Sequence, residues 1–498
     1  MKEISVYVIG TLAAMLFVLG SCRYQESYYD KDDAMVTFSK DTLRFDTVFT
    51  TVGSATRSFK IRNPYNDVLN LSRVSLEKGS SSFFRLNVNG VGGLDVENIE
   101  IPAKDSIYVF AEVTIDPDMD LSVSPFIIDE KVNIEVNGSK QVVVLEAWGQ
   151  NANYIPNNTA KGKFALLSCD LGTEIWDDPK PYVIYGILLI DSCTLELPAD
   201  CKVYVHGGIA FTEDFASYND GRIIVLKDGS LVTKGSPEQP VIIQGDRLEE
   251  YYREDQAQWT GIQIFPESRG NDFKHTIIKD GITGLSIDSF ANANLDGVQI
   301  YNHASRALVS FHVNELNIKN SLFHSAQTET VLLKYGGNIN IDYSTIAGYG
   351  DMNAALYVDN FRCTEEVFCG PILVNPVNLK VRNTVISGNG TDELALVDGT
   401  FGEVPGTMNF AMENCALTID SLLNNNNYPN FFDSCPGCFT ISLGENLFAD
   451  LDESDFHLDT LSQLENRAIP ILGIQEDIEG NMRDALTPDV GCYEYQFL

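Results

Sequence analysis

Phe273-Lys-His-Thr-Ile-Ile278, Leu295-Asp-Gly-Val-Gln-Ile300, Ile318-Lys-Asn-Ser-Leu-Phe323, Ile341-Asp-Tyr-Ser-Thr-Ile346, Val381-Arg-Asn-Thr-Val-Ile386 and Met412-Glu-Asn-Cys-Ala-Leu417 are six copies of one phrase. The first four begin 22, 23 and 23 residues apart, and the later gaps of 40 and 31 leave room for insertions. A period of this size marks a solenoid, in which each repeat buries its apolar face only against its neighbours. The repeat is too short for a helix pair and its segments are β-branched, which predicts one coil of a parallel β-helix per copy.

The columns of the phrase say which way each residue points. Columns one and six are apolar in every copy, as inward positions require. Column four holds Thr276, Val298, Ser321, Ser344, Thr384 and Cys415, all small enough for a crowded interior stack. Column three holds Asn320, Asn383 and Asn414, with Gly297 in another copy. Asn and Gly tolerate the left-handed conformation of a sharp bend, and a bend there lets columns one, four and six all face inward. Column two runs Lys274, Asp296, Lys319, Asp342, Arg382, Glu413, a ladder alternating in sign from coil to coil. Each exposed pair contributes only ~0.2–1 kcal/mol, so the ladder reports register more than stability. A second set, Gly284-Leu-Ser-Ile287, Ala307-Leu-Val-Ser310, Val331-Leu-Leu-Lys334 and Ala355-Leu-Tyr-Val358, supplies another strand per coil.

Lys2 precedes an uncharged, mostly apolar run of 16 residues, Ile4 to Leu19. That is short of the ~20 residues a membrane span needs, and suits a secretion signal. Leu19-Gly20-Ser21-Cys22 follows at once and resembles the lipobox of bacterial lipoproteins. The resemblance implies cleavage of residues 1–21 and acylation of Cys22, which would hold the protein to a lipid bilayer. A polar tether, residues 22–34, carries Glu26, Asp30, Asp32 and Asp33. Acidic residues there resemble the surface-export signal of Bacteroidota lipoproteins, implying the outer membrane of a Gram-negative cell with the protein facing the exterior. With 34 Lys+Arg against 70 Asp+Glu, the net charge is −36. A field of that sign repels polyphosphates and anionic headgroups, excluding nucleic acid as a partner. The chain is expected to be soluble apart from its lipid.

From 35 to 150 the 23-residue period is absent, and short alternating strands with turn signals replace it. Ser58–Arg62, Leu69–Leu76, Phe84–Val88, Ile107–Ile115 (ending in Asp116-Pro117), Val132–Val136 and Val142–Trp148 are among about seven strands expected, the pattern of a β-sandwich. This stretch resembles the immunoglobulin-like domains that precede repeat domains in secreted Bacteroidota proteins, where the implied role is a spacer. After a linker near 151–163, Tyr182–Gly186, Leu195–Val205, Gly229–Ile243 and Trp259–Ile264 resemble the opening coils of the right-handed parallel β-helix family that includes pectate lyases and many lipoproteins. Asp455–Leu458, Asp477–Arg483 and Pro488–Tyr495 resemble the closing segment of such proteins, departing from its pattern at Glu479 and Cys492. The resemblance covers roughly residues 165–498 and implies an all-β fold: an immunoglobulin-like sandwich, then a right-handed single-stranded β-helix over 165–454 and a closing segment over 455–498.

Candidate chemistry is sparse. Lyases of the family use Ca²⁺ held by carboxylates with a basic Arg or Lys, and hydrolases on this fold need paired carboxylates. Asp280, Asp288, Asp351 and Asp359 supply carboxylates but match no catalytic set, and no resident cofactor is expected unless the chain is such an enzyme. Four of six histidines fall close together: His275, His303, His312 and His324. Allowing for a slip between columns, His303 and His324 fall on consecutive coils, roughly one strand spacing of about 5 Å apart. With Tyr301 and Lys279 in neighbouring positions they form either a surface site for a metal or a general base, or a set of exposed residues on one face. Nine cysteines remain beyond Cys22, an odd number, so at least one is unpaired. Local pairs Cys435–Cys438, Cys363–Cys369 and Cys193–Cys201 are the candidate disulfides, and Cys415 is an inward thiol. Two functions follow: a non-catalytic surface lipoprotein binding a glycan or protein partner, or a lyase or hydrolase of acidic polysaccharide. Stacked aromatics or a shallow polar groove would mark the first; converging charged side chains in a cleft would mark the second.

Overall fold

The computed structural model describes residues 27–49, 56–114, 126–156, 164–211, 217–248, 252–350, 353–365, 369–424, 431–442 and 444–496. The signal at 1–21, Cys22, Glu26, the Asp116-Pro117 turn, most of the linker and Asp351 lie outside them. The chain divides into two compact units, Met1–Asn151 and Ala152–Leu498. No α-helix occurs among the described residues.

The first unit packs two five-stranded sheets on one apolar core that includes Phe45, Phe59, Phe84, Ile101 and Leu145. One sheet is antiparallel, in the order Thr37–Phe38, Arg57–Arg62, Ser106–Val113, Phe84–Val88, Val91–Gly93. The other runs Thr42–Phe49, Ser139–Gln150, Phe126–Val136, Leu69–Leu76, Asp95–Ile101, with its first pair parallel. Sequence reading misses Asp95–Ile101 because Asn98, at φ 55°, interrupts the alternation of inward Val96 and Ile99. The described end of the tether is part of this fold. Tyr29 N donates to Val68 O at 2.9 Å, Val68 N to Ser27 O at 2.8 Å, and Ala34 is fully buried.

The second unit is wound from three parallel stacks. The first, of eleven strands, starts at Asn153–Ile155 and ends at Phe439–Thr440. The second runs from Phe164–Leu167 to Leu394–Val397, and the third from Gly172–Ile175 to Met408–Glu413. Strands Arg306–Lys319 and Val331–Asp342 run on from the second stack into the third, with a register shift after Phe311. The architecture is a parallel β-helix. Parallel winding begins at Asn153, ahead of the expected 165, and ends at Thr440, ahead of the expected 454.

The six-residue phrase spans the bend from third stack to first. Column three has positive φ in all six copies: His275 39°, Gly297 68°, Asn320 46°, Tyr343 45°, Asn383 51° and Asn414 50°. The column-four side chains are fully buried, and their hydroxyls bind the chain in two directions. Ser321, Ser344 and Thr384 each donate to the carbonyl two residues back (2.8, 3.0 and 2.9 Å). Each also accepts an N–H from the preceding coil, from Val298, Ser321 and Ser344 respectively. Small polar residues stand there because a buried hydroxyl must be satisfied. The column-two ladder is in register: Lys274, Asp296, Lys319, Asp342, Arg382 and Glu413 are successive strand partners. In the second stack Val331 pairs with Leu308 and Leu356, one residue from the expected alignment, so Thr330 takes the small inward place of Ala307 and Ala355.

The closing segment forms a second apolar layer over the outer side of the first stack, joining Leu322, Tyr343, Ala347, Val385 and Ala416 to Phe448, Phe456, Leu464, Ile478 and Val490. Its docking uses the column-three residues. Asn320 Nδ2 donates to Glu476 O (2.9 Å), Asn414 Nδ2 to Arg467 O (2.9 Å) and Tyr343 Oη to Ile469 O (2.6 Å). Asn383 holds both sides of one residue: Nδ2 donates to Ile469 O (2.8 Å), and Oδ1 accepts Ile469 N (3.1 Å). The Arg483 guanidinium, buried over the Tyr343 ring at 4.1 Å, donates to Asn320 Oδ1, Gly491 O and Cys492 O. Asp477 accepts N–H groups of Glu479, Asn481 and Glu494. The asparagines therefore do more than permit the bend.

Candidate functional site

The outer side of the third stack carries ordered polar columns that no part of the closing layer's core covers. In one column Asn317 Nδ2 donates to Asn294 Oδ1 (3.0 Å) and Asn340 Nδ2 to Asn317 Oδ1 (2.8 Å). Asp272 and Lys380 continue it on either side. Two residues towards the second stack, or three for Asn314, Asn314 donates to Asn292 (2.8 Å), Asn378 to Asn338 (3.0 Å) and Asn409 to Asn378 (3.1 Å). Strand pairing places successive coils about 4.8 Å apart, which suits amide-to-amide bonds up the stack. A rung bonded above and below uses one N–H and one lone pair; Asn317 spends its second N–H on Glu315 Oε1 (3.1 Å), and Asn409 its second on Gly406 O (2.9 Å).

Charge bounds this face on one side and aromatic rings on the other. Lys319 meets Asp296 at 3.0 Å, and Arg382 grips Asp342 through Nε and Nη2 at 2.7 and 2.6 Å, which raises the Arg382 pKa. At the corner with the second stack, Phe290, His312 and Tyr335 form a column with centroids 4.4 and 5.1 Å apart. All three have positive φ (60°, 51° and 57°), a conformation that turns the chain between stacks. Phe290 is 49% exposed, and the Arg362 guanidinium lies 5.1 Å from the Tyr335 ring. Burial, then Arg362, lowers the His312 pKa, favouring the neutral ring. Two open depressions lie along the face. One of about 610 Å³ is lined by Asn338, Asn340, Asn378, Lys380, Asn409 and Phe410 among others. The other, of about 350 Å³, includes Asp272, Lys274, Asn294, Asp296, Asn317 and Asp342.

The histidine set lies elsewhere. Strand pairing puts Lys279, Tyr301 and His324 in one column of the first stack, and His303 opposite Ala326, not opposite His324. His303 is fully buried: Nδ1 accepts Gly281 N at 3.2 Å and Nε2 faces Ile278 O at 3.2 Å. Burial lowers its pKa to about 4. His324, held down to about 3 by burial and then by His303, stacks between Tyr301 (4.8 Å) and Phe456 of the closing layer (4.7 Å). Lys279 sits 5.9 Å from the Tyr301 ring. The arrangement is packing beneath a cover, so the expectation of exposure is corrected along with that of stacked histidines. His275 takes a bend position, and His312 belongs to the aromatic corner.

The carboxylates are dispersed. Asp280 is buried, accepts Asn302 Nδ2 at 2.7 Å, and has its pKa raised by burial. Asp359 is buried, accepts Tyr335 N at 2.7 Å, and is raised for the same reason. Asp288 bonds its own neighbour Ser289. No group of three or more His, Cys, Asp or Glu suited to a metal ion occurs among the described residues. Cys363–Cys369 and Cys435–Cys438 are bonded. Cys193 is bonded to Cys169 on the neighbouring coil, leaving Cys201 free and buried with Cys415 and Cys492. Strand pairing explains the correction: it aligns Gly172 with Cys193 and brings Cys169, three residues earlier, beside it.

No protein-family model and no curated protein matches this chain. Among solved structures, the chain is similar to XylC in complex with xylose, at 10% identity over 95% of this chain and 92% of that one, TM-score 0.37. It is similar to the catalytic unit of a GH87 α-1,3-glucanase from Streptomyces thermodiastaticus, at 9% identity over 73% and 74%, TM-score 0.28. A family 123 glycoside hydrolase from Clostridium perfringens matches at 7% identity over 38% of this chain, TM-score 0.16, and the chain spans only 44% of it. Glycoside hydrolases thus recur among the similar structures, while the chemistry of this chain has to be read from the face itself.

Proposed function

We propose that this protein recognises carbohydrate, and that a glycan lies on the outer face of the third stack. The observation that carries the reading is the combination of asparagine ladders with the aromatic column Phe290–His312–Tyr335 at their edge. A sugar ring presents an apolar C–H face and a rim of hydroxyls that both donate and accept. Aromatic π-faces suit the former, and columns of amides, which carry donor and acceptor on one side chain, suit the latter. The proposal takes the sandwich as immunoglobulin-like, the β-helix as right-handed, and Cys22 as a lipid anchor in an outer membrane with the protein facing outward. A surface-protein ligand competes for the same face, but paired amides with rings favour a glycan.

Hydrolysis is the second reading, favoured by the three carboxylates Asp272, Asp296 and Asp342 around the smaller depression. Against it, Asp296 and Asp342 are engaged in ion pairs with Lys319 and Arg382 rather than converging on a shared point in the depression. The test is the folded protein incubated with uronate and neutral polysaccharides, with and without Ca²⁺, products read by mass and binding by pull-down. Retention without cleavage, weakened by Asn317→Ala with Asn340→Ala, is the expected result. Cleavage products lost in Asp296→Asn would establish the hydrolase, and neither retention nor cleavage would remove the carbohydrate reading.

A further inference from the structure

Within the closing segment, strand Asp455–Leu458 and the turn at 477–481 meet across one histidine. His457 Nδ1 faces Asp455 Oδ1 at 2.5 Å, and its Nε2 faces Glu479 Oε1 at 3.2 Å. Asp455 Oδ1 also accepts the His457 backbone N–H at 3.0 Å, which fixes that carboxylate against the ring. Glu479 is held by its own turn, where its backbone N–H donates to Asp477 Oδ1 at 2.9 Å. The Tyr493 ring packs against the imidazole with centroids 4.2 Å apart.

Proton counting fixes the state of this ring. A neutral imidazole carries one N–H and one lone pair, so one of the two carboxylates would face a lone pair. Only the imidazolium donates from both nitrogens, and its charge then meets an anion on either side. The titratable groups facing it are Asp455 from its own strand, and Glu479 and Tyr493 from the segments packed against that strand. Asp477 and Cys492 bear on Tyr493 rather than on the ring. Burial works against the charge, but the bonds to Asp455 and Glu479 outweigh it and raise the His457 pKa. Burial likewise opposes the charge on Asp455, and its bonds with His457 outweigh that and lower its pKa. The three side chains are between 41% and 47% exposed, so protons reach them from solvent without unfolding.

What these contacts hold in place is a cover. Strand Asp455–Leu458 pairs antiparallel with Phe448–Asp450 to form a hairpin. Phe456, next to His457, packs on His324 at 4.7 Å, and His324 in turn stacks on Tyr301 at 4.8 Å. We infer that His457 is a pH-operated clasp: charged, it ties the hairpin to the turn at 477–481; neutral, it releases one carboxylate and lets Phe456 lift from His324. Neither part of the device depends on what the third stack binds. The folded pKa lies above the ordinary 6.5, so the clasp is fully formed below about 6.5 and lost as pH rises through the folded value. His303 and His324 act in the opposite sense, since their folded pKa values lie below 6.5.

The test uses the whole protein from about pH 5 to 9. Long-range proton–nitrogen NMR of the imidazoles reads the charge on His457. Hydrogen-exchange protection, corrected for intrinsic rates, is followed at the Asp459 amide, which donates to Leu447 O at the base of the hairpin. Carbethoxylation of His324, read by peptide mass, reports uncovering, because a ring with a pKa of about 3 stays neutral throughout this range. His457 should titrate above 6.5, with Asp459 protection falling and His324 modification rising several-fold at the same midpoint. Glu479→Gln should move that midpoint down towards 6.5, and His457→Gln should remove both pH dependences. Should a variant not fold, the coincidence of the three midpoints in the unaltered protein decides the matter. A His457 that titrates at or below 6.5 overturns the inference. So does protection or modification that ignores its titration, and so does a midpoint unmoved in Glu479→Gln.

Discussion

Replacing Asn383 by Ala should loosen the closing layer more than any other single change at the bend. Asn383 is fully buried, its side chain makes two hydrogen bonds to the backbone of Ile469, and its own φ is 51°. Truncation orphans the Ile469 N–H, while the Ile469 carbonyl keeps its bond from Tyr343 Oη. An orphaned group costs about 1–3 kcal/mol when shielded, and Ile469 is only partly shielded, so about 1–2 kcal/mol is appropriate. An Ala side chain in the left-handed region adds roughly 1 kcal/mol. Asn383→Gly removes the same bonds without that strain, so it should cost about 1 kcal/mol less than Ala. The assay is hydrogen exchange at the Ile469 amide with urea unfolding of the same samples, where exchange reports opening of this layer and the urea midpoint reports the unit. A loss below about 1 kcal/mol for Ala, or an Ile469 amide as protected as before, would refute the docking role of column three.

Three further outcomes follow from the structure. Stability should fall as pH drops from about 6.5 towards 4. His303 has a folded pKa of about 4 against 6.5 unfolded, and His324 about 3, so the unfolded chain binds more protons in that window. His303 alone corresponds to about 3 kcal/mol over the descent, and His303→Gln should flatten the urea midpoint against pH; a slope unchanged by that variant would contradict it. Alkylation of the denatured, unreduced protein should label Cys201, Cys415 and Cys492 and leave Cys169 and Cys193 unlabelled, which peptide mass spectrometry reads directly. Gly261→Ala should cost at least about 3 kcal/mol, because the new Cβ would lie 1.7 Å from the Thr283 carbonyl oxygen at φ 130°, where backbone rather than a pliable side chain is in the way; near-native melting would refute that packing.

Much of the coil was legible because its columns combine period with chemistry. Small side chains at column four and the positive φ at column three, met by Asn or Gly in four of the six copies, follow from the interior and from backbone sterics. The candidate face was legible too, one residue before the phrase, where Asp272, Asn294, Asn317, Asn340 and Lys380 recur. It was passed over because outward positions are expected to be polar, and only strand pairing shows that these amides bond to one another. The second role of Asn320, Asn383 and Asn414 was hidden for a different reason: the bend alone accounts for them, and their partners lie 53 to 156 residues away. The Cys169–Cys193 pair was missed because proximity in sequence was used where proximity between coils decides. His303 and His324 misled by their spacing, since a slip of two residues moved Tyr301 into the place opposite His324.

The most direct test of the central claim is nitrogen-edited NMR of the side-chain amides during titration with the hexasaccharide that binds tightest. The account predicts shifts concentrated at Asn294, Asn317, Asn340, Asn338 and Asn378, with ring resonances of His312 and Tyr335 moving in step. Saturable binding that leaves those amides and rings unmoved would contradict it.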